Sequence, residues 1–120
     1  MIQSICDTIE HYLDREIVKN YRIKQDIISD ILDILKKEEY DGKRRKNAAV
    51  MHYLLEESYN FHSSVSDGKA DNSYPVIYGD YFGMLYHRAV IDFEEFELNE
   101  SLVSGYKKRC IEAFEDMRNR

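Results

Sequence analysis

The chain has 120 residues, of which 43% are hydrophobic and 33% are charged. That length is typical of one domain, and the balance favours a folded protein over a disordered one. The formal net charge of −6 argues against a protein built mainly to bind nucleic acid, which requires a dominant basic surface. We therefore expect a single domain over residues 1–120 that binds no nucleic acid.

The cysteines and the first residues bear on the compartment. Cys6 and Cys110 lie far apart and fit no CxxC or zinc-binding pattern, so we expect two reduced, partly buried thiols. Residues 1–13 include Asp7 and Glu10 and lack a basic stretch leading into an apolar run, unlike a signal peptide or membrane anchor. The expected location is therefore cytoplasmic, with no transmembrane segment.

Apolar residues recur at helical spacing in several segments, which predicts an all-α fold of about five helices. The first helix is expected over residues 2–18. The second runs from Ile23 to Lys37 and is followed by a polar segment in which Gly42 is the stop. The third, from about residue 45 to 66, is expected to be strongly buried because its apolar residues occupy more than one face.

The fourth helix follows a polar interval over residues 67–73. Pro75 suits its first turn, with Asn72 or Ser73 as the cap, and the helix continues to about Ile91. Because this helix has almost no polar face, it must be covered on several sides. Gly79 and Gly83 within it favour either close packing against a neighbouring helix or a ligand crossing at that point.

The fifth helix is expected to begin at a cap formed by Asn99 or Ser101. Its apolar residues predict one inward face, made of Leu102, Val103, Tyr106, Cys110, Ala113, Phe114 and Met117.

A basic run and the four histidines are the residues that could bind an anion or a metal ion. The basic run Lys43–Lys46 is either a solvated helix start or an anion contact. The histidines form no HExxH or ExxH pattern that would place two ligands on one helix face, so no metal site is expected. They are His11, His52, His62 and His87.

A family resemblance enters in residues 47–90. The segment His62-Ser63-Ser64-Val65-Ser66-Asp67 resembles the aspartate-rich HDDxxD-like motif of trans-prenyl diphosphate synthases, and Gly79-Asp80-Tyr81 resembles the GDY that opens their next helix. The run from Gly79 to Tyr86 is similar to the GDYYSGLYY-like run of the noncatalytic small subunits of hexaprenyl and heptaprenyl diphosphate synthases. This resemblance implies a compact, partial isoprenoid-synthase-like helical bundle.

The departures from the family motif concern its metal ligands. Ser63 and Ser64 stand where two aspartates would hold Mg²⁺ against a diphosphate, and a neutral hydroxyl cannot replace a carboxylate there. Asp67 is the remaining carboxylate of the motif, and no second DDxxD motif follows. We therefore expect no catalytic residue and no cofactor in this chain, with Mg²⁺ held by a partner.

The resemblance thus implies a regulatory small subunit that binds a catalytic prenyl diphosphate synthase subunit and helps set product length. Apolar side chains would close or extend the tunnel that receives the isoprenoid tail, and their volume would limit the chain. The candidates for the partner interface and chain-length control, each of which is alternatively an ordinary core residue, are Phe61, Gly79, Asp80, Tyr81, Phe82, Gly83, Met84 and Leu85.

Two other functions stay open. One is a helical adaptor with an unrelated protein partner, since ten tyrosines supply the amphipathic area favoured at interfaces. The other is a stand-alone enzyme that uses His62, Asp67 and Asp80. Co-purification with a prenyl synthase separates the first from the small subunit, and Mg²⁺-dependent turnover by the isolated chain would identify the second.

Overall fold

The computed structural model describes residues 1–64 and 73–118. Over those residues the protein forms helices and no strands, which confirms the all-α prediction. The five helices are α1 (Ile2–Tyr12), α2 (Gln25–Leu35), α3 (Gly42–Ser63), α4 (Ser73–Phe93) and α5 (Phe96–Arg118).

Helices α3 and α4 form the centre of the fold and run antiparallel. The end of α3 meets the start of α4, where Ser58 bonds Gly79, whereas Arg44 at the start of α3 pairs with Glu95 just after α4. Helix α3 is buried on more than one side, as its apolar pattern predicted. The fully buried side chains around this pair come from four helices and include Ile5, Ile9, Ile28, Val50, Met51, Tyr53, Leu54, Phe82 and Tyr86.

The first helix is shorter than its apolar stripe predicted, because it ends at Tyr12 rather than near residue 18. Leu13 adopts an extended conformation, and the following segment forms turns, in which the Ile17 and Val18 amides donate to the Asp14 carbonyl oxygen and side chains add further bonds. The guanidinium of Arg15 donates to the carbonyl oxygens of Val18 and Tyr21, and the Tyr81 hydroxyl accepts a 2.7 Å bond from the Asp14 amide. The long-range bond to Tyr81 and the local bonds of Arg15 together outweigh the helical pattern.

The prediction that Gly42 marks a stop was wrong, since Gly42 is the first residue of α3. Asp41 is the N-cap, and its Oδ1 accepts a 2.7 Å hydrogen bond from the Arg44 amide. An aspartate cap satisfies an amide that the helix leaves unpaired, so it starts the helix here.

Helix α5 begins earlier in the chain than predicted, because of a tight turn between α4 and α5. Glu94 has φ of 54°, in the left-handed region, and this tight turn starts α5 at Phe96, ahead of the predicted caps. Asn99 does not cap the helix; its Oδ1 accepts a 2.6 Å hydrogen bond from the Tyr86 hydroxyl. Pro75 does lie in the first turn of α4, but Ser73 is already helical and Asn72 lies outside the described residues.

The predicted inward face of α5 was right only in part. Tyr106 is buried and Leu102 is half-buried, but Val103, Cys110, Ala113 and Phe114 are exposed. The side chain of Met117 lies outside the described residues. The reason is that the second half of α5 is separated from α3 by an open cleft, so these side chains are not covered by another helix among the described residues. Cys110 is therefore exposed rather than partly buried, whereas Cys6 is buried.

None of the helices described has the length and apolar composition needed to cross a membrane.

Candidate functional site

The two segments that carry the family resemblance meet where α3 ends and α4 begins. The Nε2 of His62 lies 2.9 Å from Oδ1 of Asp80, with both side chains exposed to solvent. A histidine and a carboxylate 18 positions apart in the chain are thus joined by a hydrogen bond that becomes an ion pair when His62 is protonated. We call this pair and the two glycines beside it, Gly79 and Gly83, the α3–α4 junction.

Gly79 is required at the junction because the His62 ring lies directly on it. A Cβ added at Gly79 would stand 2.4 Å from Cδ2 of His62, closer than any van der Waals contact. Gly79 therefore lets His62 reach Asp80 across the surface of α4. The sequence left open close packing or a ligand at this point, and the structure brings a side chain of α3 onto it.

Gly83 lies one turn further along α4 and faces Ser58. The Ser58 hydroxyl donates a 2.7 Å hydrogen bond to the carbonyl oxygen of Gly79, and a Cβ at Gly83 would stand 3.2 Å from the same oxygen. The buried hydroxyl thus joins the two helices beside these glycines, which favours the close-packing interpretation of both.

The serines of the degenerate aspartate-rich motif bond to their own helix. Ser63 Oγ donates to the Asn60 carbonyl at 3.1 Å, and Ser64 Oγ donates to the Phe61 carbonyl at 2.7 Å. Across the described residues, no three histidine, cysteine or acidic side chains are grouped closely enough to hold a metal ion. Asp67 lies outside those residues. The two serines thus direct their hydroxyls to carbonyl oxygens of their own helix.

Most of the proposed chain-length residues belong to the core of this chain. Phe82 is fully buried and stacks on Phe61 with the ring centroids 5.7 Å apart, and Tyr81 and Leu85 are also buried. Met84 points outward, with 57% of its surface exposed. Whether any of them limits product length stays a prediction. Of Tyr81, Phe82, Met84 and Leu85, Met84 is the residue that a partner could contact directly.

The outer face of α4 carries an apolar stripe that the described residues leave uncovered. Ile77, Met84 and Ile91 are spaced by seven residues and are 57%, 57% and 64% exposed, and Tyr74 extends the stripe to the first turn. Apolar residues that repeat every seven positions on one helix face are the pattern by which one helix packs along another. The described residues thus leave one apolar face of α4 exposed, and we call these four residues the α4 stripe.

The sequence did not predict the buried carboxylate of Glu57, which lies on α3 next to Ser58. Glu57 on α3 is fully buried, and it accepts hydrogen bonds from the Tyr21 hydroxyl at 2.6 Å and from Asn60 Nδ2 at 3.1 Å. The ammonium of Lys24 lies 3.0 Å from its Oε2. The apolar spacing predicted that α3 is buried on more than one face. No residue near Glu57 in the sequence indicated that its partners lie more than thirty positions away.

Two tyrosines complete this network. The hydroxyls of Tyr21 and Tyr53 are hydrogen-bonded to each other, and the Lys24 amide donates to the Tyr53 oxygen at 3.0 Å. Burial raises the pKa of Tyr53 to about 12, and burial together with the neighbouring Tyr53 and Glu57 raises the pKa of Tyr21 further. Both hydroxyls therefore stay protonated at neutral pH and hold the segment before α2 against α3.

The basic run at the start of α3 has structural partners. Nε of Arg44 lies 3.1 Å from Oε2 of Glu95, and its guanidinium stands over the Tyr40 ring at 5.0 Å. Arg45 donates to the Tyr40 carbonyl oxygen at 3.4 Å. At these two arginines the structure favours a role in helix packing over the open alternative of an anion contact.

An apolar cleft of about 400 Å³ adjoins the junction, between the second halves of α3 and α5. Its walls are formed mainly by Leu55, Tyr59, Tyr106, Cys110 and Phe114, with His62 at one side. The sequence did not predict this cleft, because it depends on how far α5 leans away from α3.

No protein family, curated protein or solved structure matches this chain.

Proposed function

We propose that this chain is the regulatory, noncatalytic small subunit of a two-component long-chain prenyl diphosphate synthase. The observation that carries the proposal is the hydrogen bond between His62 and Asp80. In the motif order of the resemblance, the aspartate-rich helix end is followed by a polar loop and then by the GDY that opens the next helix. The two segments that supplied the resemblance meet at the junction, with Gly79 making room for the contact.

The chemistry would take place on the partner. The catalytic subunit would hold Mg²⁺, ionise an allylic diphosphate and condense it with isopentenyl diphosphate. Ser63 and Ser64 of this chain direct their hydroxyls back to helix carbonyls, which supports a role without metal. A diphosphate leaving group needs its charge neutralised by metal-bound carboxylates, and these hydroxyls offer none.

The partner would bind the α4 stripe. Burying four large apolar side chains along one helix face supplies the hydrophobic centre that a specific interface needs. Met84 lies at the middle of the stripe, and its side chain would project from this chain toward the tunnel that receives the isoprenoid tail. A helical adaptor would use the same stripe for an unrelated protein, so the partner's identity decides between the two functions.

The test mixes the purified chain with a catalytic prenyl diphosphate synthase subunit from the same genome. We expect the two to co-purify, and the mixture to make products of a length that the catalytic subunit alone does not make. Ile77→Asp should abolish co-purification because it places a charge in the apolar interface. Ile34→Asp is the matched control, since Ile34 on α2 is equally exposed, at 58%.

Each outcome separates the candidate functions. Failure of the wild-type pair to associate, with the catalytic subunit active alone, would reject the small-subunit function and leave the adaptor. Equal loss of binding in Ile77→Asp and Ile34→Asp would show that the α4 stripe is not the interface.

A further inference from the structure

The cleft between the second halves of α3 and α5 has the size of a small-molecule site. Its volume of about 400 Å³ lies within the usual range of ligand pockets, roughly 300–1,000 Å³. A water molecule occupies about 30 Å³ of liquid, so the cleft has room for roughly a dozen non-hydrogen atoms. A ligand of that size is comparable to decanol.

The walls of the cleft are mainly apolar. Tyr59 of α3 and Tyr106 of α5 close one end, with their ring centroids 5.8 Å apart. Phe114 lies about two turns further along α5 and is 64% exposed, and Ala113 beside it is also exposed. Covering apolar surface is favourable in proportion to the area removed from water. The walls therefore favour a ligand made mostly of carbon.

The hydroxyl groups of the lining are already committed to the protein. Three of the four donate their hydrogens elsewhere: Ser58 and Ser63 to backbone carbonyl oxygens, and Tyr106 to the carboxylate of Glu56. Their oxygens can still accept a hydrogen bond, which suits a hydroxyl on a ligand. A carboxylate or phosphate needs donors, and these three groups offer it none.

The charged groups beside the cleft also disfavour an anion. Nε2 of His62 lies 2.9 Å from Oδ1 of Asp80, so His62 has a carboxylate beside it even when it is protonated. The guanidinium of Arg109 stands over the Tyr59 ring at 4.1 Å, and its Nη1 lies 3.0 Å from Oε2 of Glu56. Both of these cationic side chains thus have an acidic partner. Charge complementarity therefore favours a neutral ligand.

We propose that this cleft binds a neutral, apolar small molecule of roughly a dozen non-hydrogen atoms, packed against the rings of Tyr59, Tyr106 and Phe114. Cys110 belongs to the lining, so a bound ligand covers its thiol. The site lies on α3 and α5 and not on the α4 stripe. The inference therefore goes beyond the proposed function and does not rest on it.

Decanol is the probe, and the reactivity of Cys110 is the first measurement. Cys110 is exposed whereas Cys6 is buried, so iodoacetamide should alkylate Cys110 much faster, as mass spectrometry of the peptides would show. Decanol at about 200 µM should slow the alkylation of Cys110 at least about threefold, since a ligand of this size is expected to bind with a dissociation constant on the order of 30 µM.

Calorimetric titrations of two variants test the location. Ala113→Trp should weaken decanol binding at least about tenfold, because the indole occupies the space of the ligand. Ser104→Trp is the matched control and should bind as the wild type does. Ser104 is also a small, uncharged and exposed residue of α5, but it is not part of the lining.

Decanoate tests the neutral character of the ligand. It has the chain length of decanol and should bind at least about tenfold more weakly, because its carboxylate finds no donor in the cleft. Equal binding of decanoate and decanol would overturn this part of the proposal. Alkylation of Cys110 unaffected by decanol, or equal binding by Ala113→Trp and the wild type, would overturn the site itself. Protection of Cys110 that rises with protein concentration in the absence of decanol would do so too, because a second copy of the chain would then cover the cleft.

Discussion

Glu57 offers the most direct test of how this fold is held together. It is a fully buried carboxylate whose partners come from the segment before α2 and from its own helix. A buried charge is tolerated only when it is paired and hydrogen-bonded, and each of these contacts contributes to that compensation. Removing the carboxylate takes an acceptor away from the bonded hydroxyls of Tyr21 and Tyr53, so one of their two hydroxyl hydrogens loses its partner in the protein interior.

The magnitude follows from the partners. Glu57→Gln keeps the shape and one acceptor oxygen, so it should cost about 1.5–3 kcal/mol, the range for hydrogen bonds to a charged group. Glu57→Ala removes the acceptor and leaves a cavity, so it should cost about 3–5 kcal/mol. Lys24 is 45% exposed and turns to water in either variant, so its charge adds little to the loss.

Urea unfolding, monitored by circular dichroism, measures these changes in unfolding free energy. Thermal melts give a second measurement: for a chain of this size 1 kcal/mol corresponds to about 4 °C in Tm, so Glu57→Ala should melt about 12–20 °C below wild type. Glu39→Gln is the control, since Glu39 is exposed, and it should stay within about 0.5 kcal/mol. A Glu57→Ala variant within about 1 kcal/mol of wild type would refute the reasoning. Additive effects of Glu57→Gln and Tyr21→Phe in a double-mutant cycle would do so too, because bonded groups must be coupled.

Four further predictions follow from single contacts. Glu94→Gly should raise the unfolding free energy by about 1 kcal/mol because Glu94 sits at positive φ, and denaturant melts should detect no change if that strain is absent. Gly83→Leu should lower it by about 1–3 kcal/mol, since even a Cβ there stands 3.2 Å from Ser58 Oγ; an unchanged melt would mean that the two helices separate easily. Burial lowers the pKa of His52 in the folded chain. Below about pH 6.5 the unfolded chain therefore binds a proton more readily than the folded chain does, and the unfolding free energy decreases as the pH is lowered. His52→Gln should flatten that loss between about pH 6.5 and 5 in urea titrations, and an equally steep loss would assign it to other groups. Met84→Ala should change stability by less than about 0.5 kcal/mol yet lengthen the products of the complex with the catalytic subunit, as measured by chromatography; unchanged products from an intact complex would reject Met84 as a determinant of length.

Some features of this protein could be predicted because they depend on residues close together in the chain. Helical periodicity, the turn position of Pro75 and the need for small residues at Gly79 and Gly83 are all encoded within one or two helical turns. The all-α fold of five helices followed from them. The boundaries were less accurate, because Asp41 and Glu94 determine where helices begin through bonds and backbone angles that no periodicity reports.

The sequence alone also determined which residues are candidates for the site, since their types and order carried the resemblance. It could not determine that His62 reaches Asp80, that Phe82 and Leu85 are buried while Met84 is exposed, or that Glu57 lies within a tyrosine network. Those facts depend on which helices pack together and how far each extends past its neighbours. Apolar spacing assigns a residue to a face of its helix, but only the tertiary arrangement decides whether that face meets another helix. For this reason, apolar residues in the second half of α5 are exposed although their spacing had predicted an inward face.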